Sequence, residues 1–600
     1  MDDLTLIRQY EPILRFTHGE LFFPVAVEPY LARTSLWQRY KNQRSELLVP
    51  AGELTVDILA AQDKIHQGRS LYLQFVQEPL RGVAFQRWLR RKERTRFRAP
   101  GRLARVGLFT RLIDSAFDLT LTLRGKVPGG TVAAAEVQYR DMLAEQDCFT
   151  YYSRVTRESG YIILQYLFFY PMNNWRTTYY GVNDHEADWE QVFVFLAEQT
   201  NGDPIPVWAA YASHDFSGDN LRRRWDDPEL EKVGTHPVVY VGVGSHASYF
   251  QRGEYLTRVQ IDYLKPIRNV LWQLRVFWSE RLGQGAPTEQ DREAIEDLIS
   301  LPFVDYARGD GLEISPAEWQ PVIISDDTEW IDDYRGLWGL DTRDPIQGEN
   351  APAGPKYDRD GTVRQSWHNP LGWAGLHKVP TPQRMTDILQ YRVNELQEEL
   401  RVTQEEIHEL KRELPKLNLE LQAMRQFDHL TREQRQQSRR LDEYEFKLNQ
   451  LYEQETVLKD TLEATRVYLE DVRAGYIGDP QAHITRKHTP QTSDELYQNA
   501  LLESWSALSA GLLLIGFALL LFLEPTQFFI GTAALVLGFG IIEASLRRRL
   551  EELLLSISVV LAVMTSFVLV YEFFWELLSA VVVGVALLII VTNWRELRGV

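Results

Sequence analysis

The sequence predicts a multi-domain α+β protein: a β-sandwich with helical insertions, then an α-helical coiled coil, then a four-helix transmembrane region. Three observations lead there. Residues 501–600 hold four apolar stretches free of ionisable side chains, a heptad repeat runs through the middle of the chain, and the first 380 residues alternate aromatic-rich runs with Gly and Pro. The corresponding boundaries are 1–380 for the β-sandwich domain, with helical insertions at about 80–147 and 255–300, 385–473 for the coiled coil, 474–500 for a linker and 501–600 for the transmembrane helices.

In the first block, the runs 21–27, 161–169, 191–196, 207–211 and 238–243 are rich in Phe, Val and Tyr and read as strands. Loops rather than regular helices separate them, which favours a sandwich over βαβ units. Helical patterns interrupt this body near 132–146, 258–281 and 289–299. The Gly- and Pro-rich stretch 348–361 is expected to be an irregular loop over the sandwich.

From about 385 the period changes. Leu389, Val393, Leu396, Leu400, Thr403, Ile407, Leu410 and Leu414 alternate spacings of four and three, and the pattern continues to Met424. Such spacing makes an a/d seam with charged residues between. A second run extends from Leu441 to Val472, and Thr431 with Gln434 suggests a capping box that restarts a helix. Two arrangements satisfy the pattern: an antiparallel hairpin, or a continuous dimeric rod kinked at Pro415. Self-association through the coiled coil is expected.

The four terminal stretches, 505–523, 525–542, 553–571 and 577–593, approach the roughly 20 residues that cross a hydrocarbon core. The loop after the second holds Arg547, Arg548 and Arg549, and Arg595 and Arg598 follow the fourth. The opposite turns hold Glu524, Glu572 and Glu576. Basic residues stay on the cytoplasmic side, so the expected protein is an integral, multi-pass membrane protein with its N-terminal domain, middle loop and C-terminus in the cytoplasm. The single cysteine, Cys148, fits a reducing compartment. The start, Met1-Asp-Asp-Leu-Thr5, lacks a basic region followed by an apolar one, so no cleaved signal peptide is expected. A net charge of −18 argues against nucleic acid as a partner.

Chemistry concentrates in 181–190. Asp188 and Glu190 are two apart on a strand and therefore share a face, and His185 precedes them on a turn. Two carboxylates and an imidazole form a mixed O/N donor set for a divalent cation, Ca or Mg in preference to Zn. The alternative is a surface turn with solvated charges. Asp184 adjoins them, and two further strand ends carry His214 with Asp215 and His246, so these four residues are candidates to line one cleft. Ser245 lacks the G-x-S-x-G elbow, which removes support for a nucleophilic hydrolase.

The strings Tyr10-Glu-Pro-Ile-Leu-Arg-Phe16 with Phe22-Phe-Pro24, Asn183-Asp-His-Glu-Ala-Asp-Trp-Glu190, and Thr235-His-Pro-Val-Val-Tyr240 with Gly244-Ser-His-Ala-Ser-Tyr249 resemble the vacuolar-protein-sorting-associated protein 62 family, a β-sandwich group, over about residues 10–375. A more remote similarity is to the necrosis- and ethylene-inducing-like cytolysins, whose Gly-His-Arg-His-Asp-Trp-Glu heptad supplies divalent-cation ligands. That resemblance implies ligand roles for His185, Asp188 and Glu190. The heptad's second histidine is Ala187 here.

A basic segment completes the picture. Arg87, Arg90, Arg91, Lys92, Arg94, Arg96 and Arg98 stand against the single acid Glu93, interleaved with Trp88, Leu89 and Phe97. On a bilayer-tethered domain such a segment suits anionic lipid, at about 1 kcal/mol per basic residue near the surface. A solvated helix balanced by acidic patches is the competing reading. The whole implies a membrane-anchored cytoplasmic scaffold or binding protein that oligomerises and engages membrane or protein partners. A metal-dependent hydrolase at the cytoplasmic membrane face is the alternative.

Overall fold

The computed structural model describes residues 2–40, 44–66, 70–90, 129–145, 148–174, 184–199, 202–213, 216–260, 265–281, 300–340, 352–486, 490, 500–523, 528–547 and 550–598. The chain divides into two units, Met1–Phe97 with Gly125–Gln491, and Arg98–Arg124 with Thr492–Val600.

The first unit begins with a β-rich region of several sheets. A six-stranded sheet runs in the order Trp319–Ile323, Phe149–Glu158, Tyr161–Asn173, His185–Ala197, Ile205–Tyr211 and Arg222–Arg224. Its two long central strands pair antiparallel from Tyr161 opposite Ala197 to Asn173 opposite His185. Side chains alternate across a strand, and both faces here are apolar, so the pair is buried on both sides. On one face Leu164, Phe168, Val192 and Val194 meet Leu14, Phe16, Val239 and Val241 of a second sheet. That second sheet pairs Ile13–Phe16 parallel to His236–Val241. The other face packs Phe169 and Trp189 against Tyr30 and Phe75, and further along Phe193 and Phe195 against Leu371 and Leu376.

Three expectations about this region need correction. His185, expected on a turn, is the first residue of the strand His185–Ala197 and pairs with Asn173. Residues 21–26 are irregular and the short helix Val27–Leu31 follows, instead of a strand over 21–27. Pro24 cannot donate to a ladder. The neighbouring amides find other acceptors: Glu20 for Leu21 and Phe22, the Phe169 carbonyl for Val25, and the Tyr152 hydroxyl for Val27. Residues 258–260, read as helix, belong to the strand Gly253–Gln260, which pairs with Ser300–Ala307. The helix between these strands, Lys265–Arg281, begins one residue before Pro266, whose fixed φ suits a helix start. The pattern at 289–299 lies outside the described residues.

Two long helices follow, Pro382–Met424 and Thr431–Arg473. Val393 and Leu396 meet Leu458, Leu462 and Leu469, whereas Ile407 and Leu410 meet Leu451. Advance along one helix is retreat along the other, so the pair is an antiparallel hairpin and the seam is filled within one chain. Arg473 to Gln390 at 2.7 Å and Gln404 to Glu455 at 2.9 Å mark the same register. The expected capping box is absent: Thr431 bonds the Asp428 carbonyl, and Gln434 reaches back to the Met424 carbonyl at 2.7 Å, satisfying the end of the preceding helix. Pro415 stays inside the first helix. A proline interior to a helix lacks one hydrogen bond, so Pro415→Ala is expected to stabilise this arm by up to about 3 kcal/mol, read as a rise in the thermal midpoint of its helical signal.

Past the arm, the chain lies along the outer strand of the six-stranded sheet. Arg224 donates to the carbonyls of Ile477 and Gly478 at 3.2 and 3.0 Å, and Gln481 donates to Asp227 at 2.8 Å.

The second unit contains the helices Ala500–Leu523, Phe528–Leu546, Leu550–Glu572 and Phe574–Arg598. Among the described residues three segments, Ser504–Phe522, Phe528–Leu546 and Phe574–Arg595, are long and apolar enough to cross a membrane. The second of these is longer than the stretch 525–542 and includes Glu543. This carboxylate is buried, accepts from the Trp505 indole at 2.7 Å and pairs with Arg547 at 2.7 Å. A charge within a span needs such partners.

Candidate functional site

The site grows from a turn. After His236–Val241 the chain reverses through residues 242–247 and pairs back as Ser248–Tyr249. The His246 amide donates to the Gly242 carbonyl at 3.0 Å, and the Gly242 amide to the Ala247 carbonyl at 2.9 Å. His246 itself has φ 57°, a left-handed conformation that costs a non-glycine residue about 1–2 kcal/mol. Gly244, at φ 72°, passes so close to Asn174 that an added Cβ would lie 2.4 Å from its carbonyl oxygen. The turn thus presses against the end of the Tyr161–Asn173 strand.

That pressure delivers the imidazole to a charged cluster. The His246 ring is fully buried and stacks on Tyr170, with centroids 3.8 Å apart and planes 3° apart. Its Nδ1 lies 2.8 Å from Asp188 Oδ2, and its Nε2 lies 3.7 Å from Glu20 Oε1. The sheet register explains the first contact, because Asp188 pairs with Tyr170. Glu20 also accepts from the amides of Leu21, Phe22 and Gly244 at 2.7, 3.0 and 2.7 Å. Burial pushes the His246 pKa down, but Asp188 and Glu20 outweigh it and hold it up at about 9. Burial raises Glu20, yet the imidazolium and the amides of Phe22 and Gly244 bring it below its ordinary value. At neutral pH the cluster is therefore an imidazolium between two carboxylates. Burial raises the Tyr170 phenol well above its usual range, so it stays neutral beneath the charged ring.

Further groups hold the turn. Asn173 Nδ2 donates to Asp188 Oδ2 at 3.0 Å. Ser245 Oγ and the Tyr249 hydroxyl both donate to Asp305 Oδ2, at 2.7 and 2.8 Å. Beside Asp188, Ala187 has φ 60° and breaks the strand's alternation. Glu186 consequently reaches the other side of the sheet, where the amides of Phe75, Val76 and Leu340 donate to it at 2.8, 2.8 and 3.1 Å. Burial raises its pKa to about 7 against the opposing pull of those amides.

The structure brings Asp188 together with His246 rather than with His185. His185 Nδ1 lies 2.8 Å from the Ala187 carbonyl, an acceptor, so Nδ1 carries a proton. Glu190 follows Asp188 on the strand with its side chain half-buried, and Asp184 is buried. His214 and Asp215 lie outside the described residues. Arg87 and Arg90 are exposed at the end of the helix Gly82–Leu89, whereas Arg91, Lys92, Arg94, Arg96 and Arg98 fall outside the described residues. Sequence reasoning missed Glu20, Tyr170 and Asp305. Glu20 is the one with a legible signal, an isolated acid directly before an apolar run.

Among the described residues no group of three or more His, Cys, Asp or Glu side chains is placed to hold a metal ion. The two carboxylates suit a hard divalent cation, and with His185 Nδ1 held by a carbonyl, Nε2 is the ring nitrogen a cation would meet. In number and placement, however, they do not by themselves make a closed coordination shell.

No protein-family model matches the chain, and no curated protein does. The resemblance to the vacuolar-protein-sorting-associated protein 62 family therefore gains no support. Short stretches are similar to solved structures of necrosis- and ethylene-inducing proteins. The non-toxic HaNLP3 protein is 17% identical with a TM-score of 0.13, over 15% of this chain and 39% of its own. Necrosis and ethylene inducing protein 2, from the causal agent of cocoa's witches' broom disease, is 22% identical with a TM-score of 0.14, over 17% and 44%. A structure described as a toxin fold for microbial attack and plant defense is 23% identical with a TM-score of 0.12, over 15% and 38%. The chain spans about two fifths of the length of these structures. Values this low transfer neither fold nor activity.

Proposed function

We propose that the chain is a membrane-anchored cytoplasmic scaffold. Its β-sandwich body displays a coiled-coil arm, and all four terminal helices cross the bilayer, leaving the body, the middle loop and the C-terminus in the cytoplasm. The observation that supports this reading best is the run of apolar helices following a hairpin of two 43-residue helices, an arrangement suited to presenting and tethering rather than to enclosing a substrate. Because the seam is filled within one chain, self-association would proceed through outer residues of the arm, where Tyr391, Phe446 and Val457 are exposed.

Cys148, the chain's single cysteine, tests the orientation. In intact cells a membrane-impermeant maleimide is expected to leave Cys148 unmodified and to label it only after permeabilisation. Labelling of intact cells would overturn the cytoplasmic placement.

Within this reading we also propose a divalent cation, Ca or Mg, at His185 Nε2, Asp188 and Glu190, where it would order the strand end. Adding millimolar Ca or Mg to chelator-treated protein is expected to raise the melting temperature of the wild type and to leave Glu190→Gln unchanged. Equal responses in the two proteins would remove the cation from the proposal.

A further inference from the structure

The helix Lys265–Arg281 turns an apolar face to solvent. Val270, Leu274 and Phe277 follow at i, i+4 and i+7, the spacing of one helical stripe, and are 54%, 49% and 47% exposed. The opposite side faces the protein: Ser279 is buried, and Arg268 and Arg275 are half-buried. Single exposed apolar residues are ordinary, whereas three along one stripe mark a contact surface.

The charge around the stripe says what covers it. Arg281 stands four residues after Phe277, on the stripe's own side, in a helix that holds four basic residues and one acid. The Arg281 guanidinium lies 5.5 Å over the Phe277 ring, closing the end of the stripe with a cation. An apolar stripe on a basic helix suits the boundary between lipid headgroups and acyl chains. A bilayer is also the environment that the apolar helices of this same chain call for.

We propose that Lys265–Arg281 is an interfacial membrane helix, with Val270, Leu274 and Phe277 entering the acyl boundary of an anionic leaflet and Arg281 meeting lipid phosphates. This rests on the membrane anchoring proposed above. The strands that hold the helix are fastened to the turn carrying His246. Asp305 on one strand binds Ser245 and Tyr249, and Tyr255 on the other stacks on Tyr249 at 4.0 Å. Docking of the helix therefore ties the buried charged cluster to the membrane surface.

The test uses the full chain in nanodiscs, with C148S removing the native thiol and a polarity-sensitive fluorophore on L274C. In discs of phosphatidylcholine and phosphatidylserine, the emission is expected to shift to the blue and to be lost when lipids carry a nitroxide near the headgroup. A label on E463C, on the exposed side of the arm, keeps its emission. Both effects at position 274 weaken in phosphatidylcholine alone. Adding V270E and F277E abolishes them while leaving the melting of the β-rich region unchanged, because both side chains are about half exposed. Unquenched label at 274 in chains that have entered the discs overturns the proposal and points to a protein partner. Equal quenching at 274 and 463 overturns it as non-specific adsorption. Chains that do not enter the discs at all overturn the anchoring reading with it.

Discussion

His246→Ala is expected to destabilise the β-rich region by about 3–5 kcal/mol, the range for removing one partner of a buried charge pair. The substitution leaves Glu20 and Asp188 buried without their imidazolium. It also leaves an alanine at φ 57°, where a non-glycine side chain is strained. His246→Asn separates the two effects, since Asn tolerates the left-handed region but carries no charge. If the charge dominates, both variants lose most of the same stability in thermal melts followed by tryptophan fluorescence. If the asparagine variant melts like the wild type, the imidazolium contributes little.

The same residue sets a pH dependence. Its folded pKa, about 9, is above the unfolded value of 6.5, which corresponds to about 3 kcal/mol. The stabilisation is complete below pH 6.5 and disappears as pH rises through 9. Glu186 acts in the same direction over a lower window. Its folded pKa of about 7 exceeds the ordinary 4.5, so the native state binds the extra proton and stability falls as pH rises from 4.5 to 7. With chelator present, the melting temperature of the wild type should decline from pH 5 to 9. The decline above pH 7 should be absent in His246→Asn, and Glu186→Gln should flatten the part below it.

Leu458→Asp is the second large expected effect. Leu458 is buried in the seam with Val393, Leu396, Leu462 and Leu469. Deleting a buried leucine side chain costs about 2–5 kcal/mol, and a carboxylate there adds its own desolvation. A hairpin joined by a short turn has little else to hold it, so the arm should open. The expected signs are loss of helical circular dichroism and protease cleavage within 382–473, with the melting of the β-rich region retained. Unchanged helical signal with no cleavage of the arm would show that Leu458 does not hold the hairpin closed.

Particular residues show how far the sequence could be read. The runs 161–169 and 191–196 were legible as strands because both faces are apolar, and burial on both sides requires that composition, whereas the extensions to Asn173 and back to His185 were not. Residues 21–26 have a similar composition but lie irregular, because Pro24 and local acceptors remove the need for a ladder. In the site, Asp188 and Glu190 were readable as neighbours from their spacing. The partner of Asp188 was not, since His246 stands 58 residues further along and Glu20 lies at the opposite end of the domain sequence.

Local periodicity and composition, carried in every short window of the chain, determined by themselves the β-rich region, the two heptad-bearing helices and the apolar segments of membrane-spanning length. Only the tertiary structure decided that the heptad closes on itself, that Ala187 sends Glu186 away from Asp188, and that an imidazole lies between two acids. Those outcomes depend on chain reversal and on backbone torsions at single residues. Burial then makes the charge arrangement decisive, because two carboxylates removed from water need a counter-charge, and no local pattern says which distant residue supplies it.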